Sequence, residues 1–349
     1  MAIAQSWSLH RTVLRQNARQ NAGLRSARAP LHRVAPMRAT CAAAAAGGTA
    51  TYVRETMHTL PDGMRLELLH QPASSPEAAR PPLLFIHGSY HGAWCWRERW
   101  MPFFAEAGFD CYAVSLRGQG RSDCRRSDGE KIRVSGDMAS LTADLAHVVA
   151  ALPSPPVLVA HSFGGLLAES YCTQLGGSAP VPAVAGVAVV CGVPPSGNKA
   201  IVGRVFKKSL VLAWKITWAF VGKSFARSLD ECRFTFFSKD LPRGDLIRYQ
   251  RQLADCTDVR LLDLAALNKA LPLPPLPQEA RMVPAFVAGG TDDVVVDWPA
   301  VEETAAWFGV QPVKWEMMAH DCMLDSRWSE AAASLRDWLT TSTARQRAT

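Results

Sequence analysis

A mostly parallel α/β sheet of eight strands, covered by helices on both faces and interrupted once by a helical insertion, is the fold this 349-residue chain predicts. Three observations predict it. Short apolar runs of buried-strand type alternate with helical patterns. The alternation stops after Cys191 and resumes at residue 280. A composition 48% hydrophobic and 20% charged supplies a large core and excludes a disordered or fibrous chain.

In chain order, Thr51–Met57 and Met64–His70 flank the turn Pro61-Asp62-Gly63 and predict an opening antiparallel hairpin. Six runs of buried-strand type follow, apolar except for Ser115 in the second and Lys314 and Glu316 in the last: Leu83–Ile86, Cys111–Ser115, Val157–Ala160, Val184–Val190, Ala285–Ala288 and Val313–Met317. Between most of them the spacing predicts helices over Trp96–Ala107, Met138–Leu152, Gly164–Leu175, Pro299–Phe308 and Trp328–Leu339. From Val193 to Glu279 the chain is helical in pattern and rich in Trp, Phe, Lys and Arg, returning through the stiff connector Leu271–Pro277. Residues 193–279 are therefore expected to be a lid inserted between two core segments, 49–192 and 280–349.

Residues 1–48 stand apart. The first 50 residues hold seven arginines, no lysine and no acid, the first acid being Glu55. Such a leader builds no core and reads as a disordered transit peptide, with chloroplast the first expectation and mitochondrion the alternative, since only three serines occur there. No apolar run follows its charges, which argues against secretion. Removing those seven from the 38 basic side chains leaves 31, equal to the 31 acidic ones, so the body is neutral and no nucleic-acid partner is expected. Nine scattered cysteines without a C-x-x-C pair predict reduced thiols rather than a disulfide frame or a zinc site. The longest apolar stretch, Ser209–Gly222, is short and carries Lys215, so no spanning helix is expected.

The strongest local signal is Val157-Leu-Val-Ala-His-Ser-Phe-Gly-Gly165, an apolar strand running into a helix with a serine at the corner. Neighbours of so sharp a turn must be small, and Ala160 stands where the G-x-S-x-G pattern has glycine. Ser162 is the candidate nucleophile. A serine hydroxyl needs a base and an orienting acid. After His161 the chain has one histidine, His320, placed between the last strand and the final helix. The loop after Ala285–Ala288 offers Asp292, Asp293 and Asp297, of which Asp293, followed by Val294-Val295, is the first choice. The order Ser162, Asp293, His320 is that of a strand-corner serine triad. Two N–H donors for a tetrahedral oxyanion are expected from Phe163 and from Ser89, the latter freed to turn by Gly88. His87 and His91 flank this loop rather than one helix face, so no metal is expected. Gly118-Gln-Gly120 lacks the third glycine of a dinucleotide loop, Asp123 standing there.

With these residues the chain resembles the α/β-hydrolase family. The matching pieces are His87-Gly-Ser-Tyr-His-Gly-Ala-Trp94, Ser115-Leu-Arg-Gly-Gln-Gly-Arg-Ser-Asp123, Ala160-His-Ser-Phe-Gly-Gly165, Gly290-Thr-Asp-Asp-Val-Val295 and Ala319-His-Asp-Cys-Met-Leu-Asp325. The first looks like the small-ester methylesterase and hydroxynitrile-lyase branch. The resemblance implies Ser162 as nucleophile, His320 as base, Asp293 as its partner, and Ser89 and Phe163 as oxyanion donors, without cofactor or metal.

The expected activity is hydrolysis of a small-molecule carboxylic ester or thioester. An apolar moiety is expected from the lid aromatics, including Phe206, Trp214, Trp218, Phe220 and Phe236, with Tyr90, Trp94, Trp214 and Trp218 lining the pocket. Two alternatives stay open. His320 to Asp325 fits an acyltransferase H-x-x-x-x-D, although Asp325 also suits the N-cap of the final helix, and a ligand sensor could keep the same residues with little turnover. The lid's first half, Val193–Leu229, carries seven basic residues and no acid. If Ile201–Val221 is one helix, Arg204, Lys208 and Lys215 share a face. The apolar remainder then either packs on the body, leaving the cations solvated, or rests on an anionic membrane.

Overall fold

The hairpin turn does form: β1 (Arg54–Thr59) pairs antiparallel with β2 (Arg65–Gln71), and Leu60 and Met64 close the turn by backbone hydrogen bonds. The structure, a computed structural model, describes residues 52–75, 80–177, 180–255 and 259–348. The transit-peptide expectation for residues 1–48 lies outside them.

Beyond the hairpin come β3 (Leu83–Ile86), β4 (Cys111–Val114), β5 (Val134–Gly136), β6 (Val157–His161), β7 (Gly186–Val190), β8 (Arg260–Leu262), β9 (Ala285–Gly290) and β10 (Val313–Trp315). Eight of these form one sheet in the order β1-β2-β4-β3-β6-β7-β9-β10. β2 joins β4 antiparallel, and every pair from β4 to β10 is parallel. Parallel strands need both faces covered, which is why the inner strands β4, β3, β6, β7 and β9 read as unbroken apolar runs, whereas the edge strand β10 carries the exposed Lys314. Successive side chains divide between two cores. Leu84, Ile86, Leu158, Ala160, Val187 and Val189 face one, built with helices Met138–Ala150, Phe163–Cys172 and Trp298–Phe308. Leu83, Phe85, Val157, Val159, Ala188 and Val190 face the other, built with Trp96, Trp100, Phe104, Ala331, Leu335 and Leu339.

Two helical expectations are corrected. Trp96–Ala107 is two short helices, Trp94–Arg97 and Trp100–Glu106. Pro102 lacks an N–H and its ring would strike the carbonyl four residues earlier, so the helix restarts with the proline in its first turn. Ile201–Val221 is likewise two helices, Lys199–Lys208 and Leu210–Gly222. Ser209 is extended (φ −167°, ψ 123°), and its hydroxyl accepts the Leu212 amide at 3.2 Å as an N-cap. The cationic face drawn on one continuous helix is therefore lost. Arg204 forms a two-point pair with Asp297 (2.6 Å each), and Lys215 meets Glu231 (3.7 Å) and lies 4.1 Å from the centre of the Phe234 ring.

The rest of residues 193–279 forms helices Leu229–Phe236, Arg243–Ala254 and Leu264–Ala270, with β8 pairing parallel to β5. These three-residue strands carry no periodicity long enough to read in sequence. Among the described residues seven cysteines are unpaired, six of them buried, and no helix is long and apolar enough to cross a membrane.

Candidate active site

The parallel strands deliver their C-terminal loops to one edge of the sheet, where α/β proteins place ligands. Ser162 sits there, between β6 and helix Phe163–Cys172, with φ 55° and ψ −121°. That region is costly for a side-chain-bearing residue and persists only where the surroundings enforce it. The corner turns the hydroxyl away from both elements and leaves the Phe163 amide, first of the helix, without an intrahelical acceptor.

The Asp and His loops follow β9 and β10. They approach so closely that a Cβ on Gly290 would lie 2.1 Å from the Met318 carbonyl oxygen, so only glycine fits. The Asp292 amide donates to that carbonyl (3.0 Å), and the Met317 amide donates to Thr291 Oγ1 (2.8 Å). His320 thereby arrives with Nδ1 2.8 Å from Asp293 Oδ2 and Nε2 3.1 Å from Ser162 Oγ. The carboxylate accepts from Nδ1–H, which leaves the Nε2 lone pair for the serine proton. Asp293 Oδ1 accepts the amides of Val295 (2.7 Å) and Val296 (2.9 Å), so the carboxylate is held from both sides. Asp292 is exposed and Asp297 is taken by Arg204, so of the three candidate acids only Asp293 meets His320. Burial alone would disfavour a charged His320. The charge and hydrogen bond of Asp293, with the nearby Asp321 charge, outweigh it and raise its pKa above the usual histidine value.

Two further histidines shape the loop that carries Ser89. His87 Nδ1 donates to the Gly88 carbonyl (2.7 Å) and Nε2 accepts the Leu116 amide (3.0 Å). The ring must be neutral to do both, and burial pushes its pKa down to about 4. In a trans peptide C=O and N–H point oppositely. By holding the Gly88 carbonyl, His87 therefore turns the Ser89 N–H the other way. His91 Nδ1 donates to the Ser89 carbonyl (2.8 Å), and its Nε2 lies 2.9 Å from Asp321 Oδ2, a buried pair. This link between the His320 loop and the Ser89 loop is missed by sequence reasoning. Its signals are the second histidine of His87-Gly-Ser-Tyr-His91 and the Asp beside His320.

His161, His320 and Asp321 bring one donor atom each within 4.8 Å of one another. Both nitrogens of His320 are already bonded, and His161 Nε2 donates to the His320 carbonyl (2.9 Å), so the cluster is a hydrogen-bonded network. Asp325 is not the N-cap expected from its position. It is buried and accepts the amides of Ala319 (2.8 Å), Ser238 (2.9 Å) and Ser326 (2.9 Å), clamping the His320 loop to the insertion. Its backbone-bonded carboxylate is committed to that clamp, which removes the motif's support for an acyltransferase.

Tyr90 and Trp94 line a cleft with His91 and Glu98. The Tyr90 hydroxyl donates to the Phe220 carbonyl (2.6 Å), and Trp94 stacks on His91. Trp214 and Trp218, expected beside them, stand instead at the surface, 63% and 47% exposed and stacked on each other. The Phe, Tyr or Trp ring nearest His320 is that of Phe236, with ring centres 6.4 Å apart, backed by Phe220 and Phe225.

Residues 83–335 match the model of the alpha/beta hydrolase family. No curated protein matches the chain. Among solved structures, an esterase from Exiguobacterium antarcticum is 16% identical (TM-score 0.58), covering 82% of this chain and 100% of its own. Epoxide hydrolase A from Mycobacterium thermoresistibile is 18% identical (TM-score 0.58; 83% and 98% covered). A bromoperoxidase from Bacillus anthracis is 15% identical (TM-score 0.57; 82% and 100% covered). Three differently named enzymes at such identities share a fold rather than a reaction. With the matched span taking in the Ser162, Asp293 and His320 loops alike, the chain belongs to the alpha/beta hydrolase family.

Proposed function

We propose that the protein is a serine hydrolase that cleaves a carboxylic ester or thioester with an apolar moiety. The observation that carries this reading is the buried chain from Ser162 Oγ through His320 to Asp293, at 3.1 and 2.8 Å. In the mechanism Ser162 Oγ attacks the acyl carbon as its proton passes to His320 Nε2, and Asp293 stabilises the imidazolium. The carbonyl oxygen becomes an oxyanion that the Ser89 and Phe163 amides receive. Collapse expels the alcohol or thiol, which takes the proton from His320 and leaves an acyl-Ser162. Water, deprotonated by His320, then attacks that acyl carbon and releases the acid, restoring Ser162. The preference for an apolar moiety rests on Phe236, Phe220 and Phe225 beside the base.

Labelling with a fluorophosphonate, followed by an ester chain-length panel, tests the reading. The wild type should be labelled and turn over repeatedly. Ser162→Ala should abolish labelling and lower turnover by about 10⁴ to 10⁶. A wild type that is unlabelled, or that releases one equivalent and stops, would overturn it.

A further inference from the structure

Of the eleven large apolar side chains exposed among the described residues, seven lie between positions 202 and 221. Within helix Leu210–Gly222, Leu210, Trp214 and Trp218 recur every four residues on one face, each 47 to 71% exposed, and Phe206, 49% exposed, stands on the separate helix before the Ser209 break. Val211 and Val221 widen that face. A contiguous apolar surface of this kind marks an interaction site. Its charge says what it meets. No acid occurs from Val193 to Leu229, and although Arg204 and Lys215 are paired inward, Lys199, Lys207, Lys208 and Arg227 are exposed. A two-fold contact between copies would set a cationic rim against itself, whereas an anionic lipid surface satisfies both the apolar face and its rim.

The same helix reaches the candidate site. Its last turn holds Tyr90 through the Phe220 carbonyl, and Tyr90 follows Ser89. Ser162 and His320 are only 6% and 2% exposed, so they lie beneath the surface that this helix helps to form. Helix Leu210–Gly222 is bounded by two non-helical residues, Ser209 and the left-handed Lys223 (φ 49°), at which it can swing. We infer that this face docks on an anionic membrane, that docking draws the helix from Tyr90, and that the substrate is a lipid ester taken from that surface. The substrate part rests on the serine-hydrolase reading; the docking part does not.

The test sediments the full chain with vesicles of phosphatidylglycerol or phosphatidylcholine, and separately measures turnover of a water-soluble short-chain ester. Binding to phosphatidylglycerol should exceed that to phosphatidylcholine by about tenfold or more and weaken as salt screens the cations. Leu210→Glu with Val211→Glu should abolish binding while leaving soluble-ester turnover within about twofold, because acids suit a helix's first turn. Lys207→Gln with Lys208→Gln should weaken binding and reduce the salt dependence. Wild type that stays in the supernatant at low salt, or a double-Glu variant that binds like wild type, overturns the inference. So does a wild-type dimer that the double-Glu variant converts to monomer, which would assign the face to a second copy. Vesicle binding without turnover of any ester would refute the hydrolase reading and leave the docking face standing.

Discussion

A methyl group placed on Gly88 would stand 2.6 Å from Ser162 Cβ, 3.1 Å from His161 Nδ1 and 3.2 Å from Ser162 Oγ. Gly88 does not hold a left-handed φ, so alanine strains no backbone angle and acts through contact alone. Carbon atoms rest at about 3.5 to 4.0 Å, so the Ser89 loop and the Ser162 corner must part by roughly 1 Å. A misplacement of that size costs about 10²-fold in rate, and withdrawing one oxyanion donor costs about 10² to 10³-fold. Gly88→Ala should therefore lower kcat/KM on a soluble ester by about 10² to 10³, near 3 to 4 kcal/mol of transition-state stabilisation. Crowding itself costs about 1 to 3 kcal/mol of stability, which a Tm measurement reads separately. The assay is steady-state hydrolysis well below the variant's Tm, together with the rate of fluorophosphonate labelling. A variant within threefold of wild type in turnover would show that the Ser89 loop does not hold the oxyanion.

Other outcomes follow from the same geometry. Asp293→Asn should cost roughly 10⁴ in kcat by favouring the wrong His320 tautomer, while Asp292→Asn costs little; the reverse pattern in single-turnover assays would contradict the assignment. The base must be neutral to act, and His320 titrates above the usual value, so kcat/KM should rise with pH through a pKa above 6.5. In residual Asp293→Asn activity that limb should move downward, since burial is then opposed by Asp321 alone; an unmoved limb in the pH profile would exclude His320 as the titrating group. His87 titrates at about 4 against 6.5 unfolded, so its contribution is present above pH 6.5 and is lost as pH falls toward 4. The loss is about 3 kcal/mol for this one group, and urea midpoints should drop less for His87→Asn than for wild type over that interval. Parallel curves would show that His87 is not held neutral.

Much of this protein is local information. Each of the eight main strands but β10, which carries Lys314, is an apolar run or a turn-flanked segment whose period is its own, and the observed sheet strands overlap the expected runs within a few residues at each end. The Ser162 corner is equally local, because strand, turn residue and small neighbours are contiguous. Chain order alone brings out His320, since no other histidine follows His161. Choosing among Asp292, Asp293 and Asp297 is different. Adjacent carboxylates are chemically alike, and what separates them is which one faces His320, 27 residues away from Asp293, and which one Arg204 has already taken. The His91–Asp321 pair spans 230 positions and exists only once the strand order brings both loops to one edge. Asp325 likewise satisfies the rule for a helix cap, yet buried Ser238 and Ala319 amides need its oxygens more. Residues 193–229 show the limit most sharply. Their sequence permits an apolar face turned inward or outward with equal propensity, because periodicity defines a face but not its neighbour. Only the tertiary placement of Leu210, Trp214 and Trp218 at the surface, with Arg204 and Lys215 paired inward, decides between them.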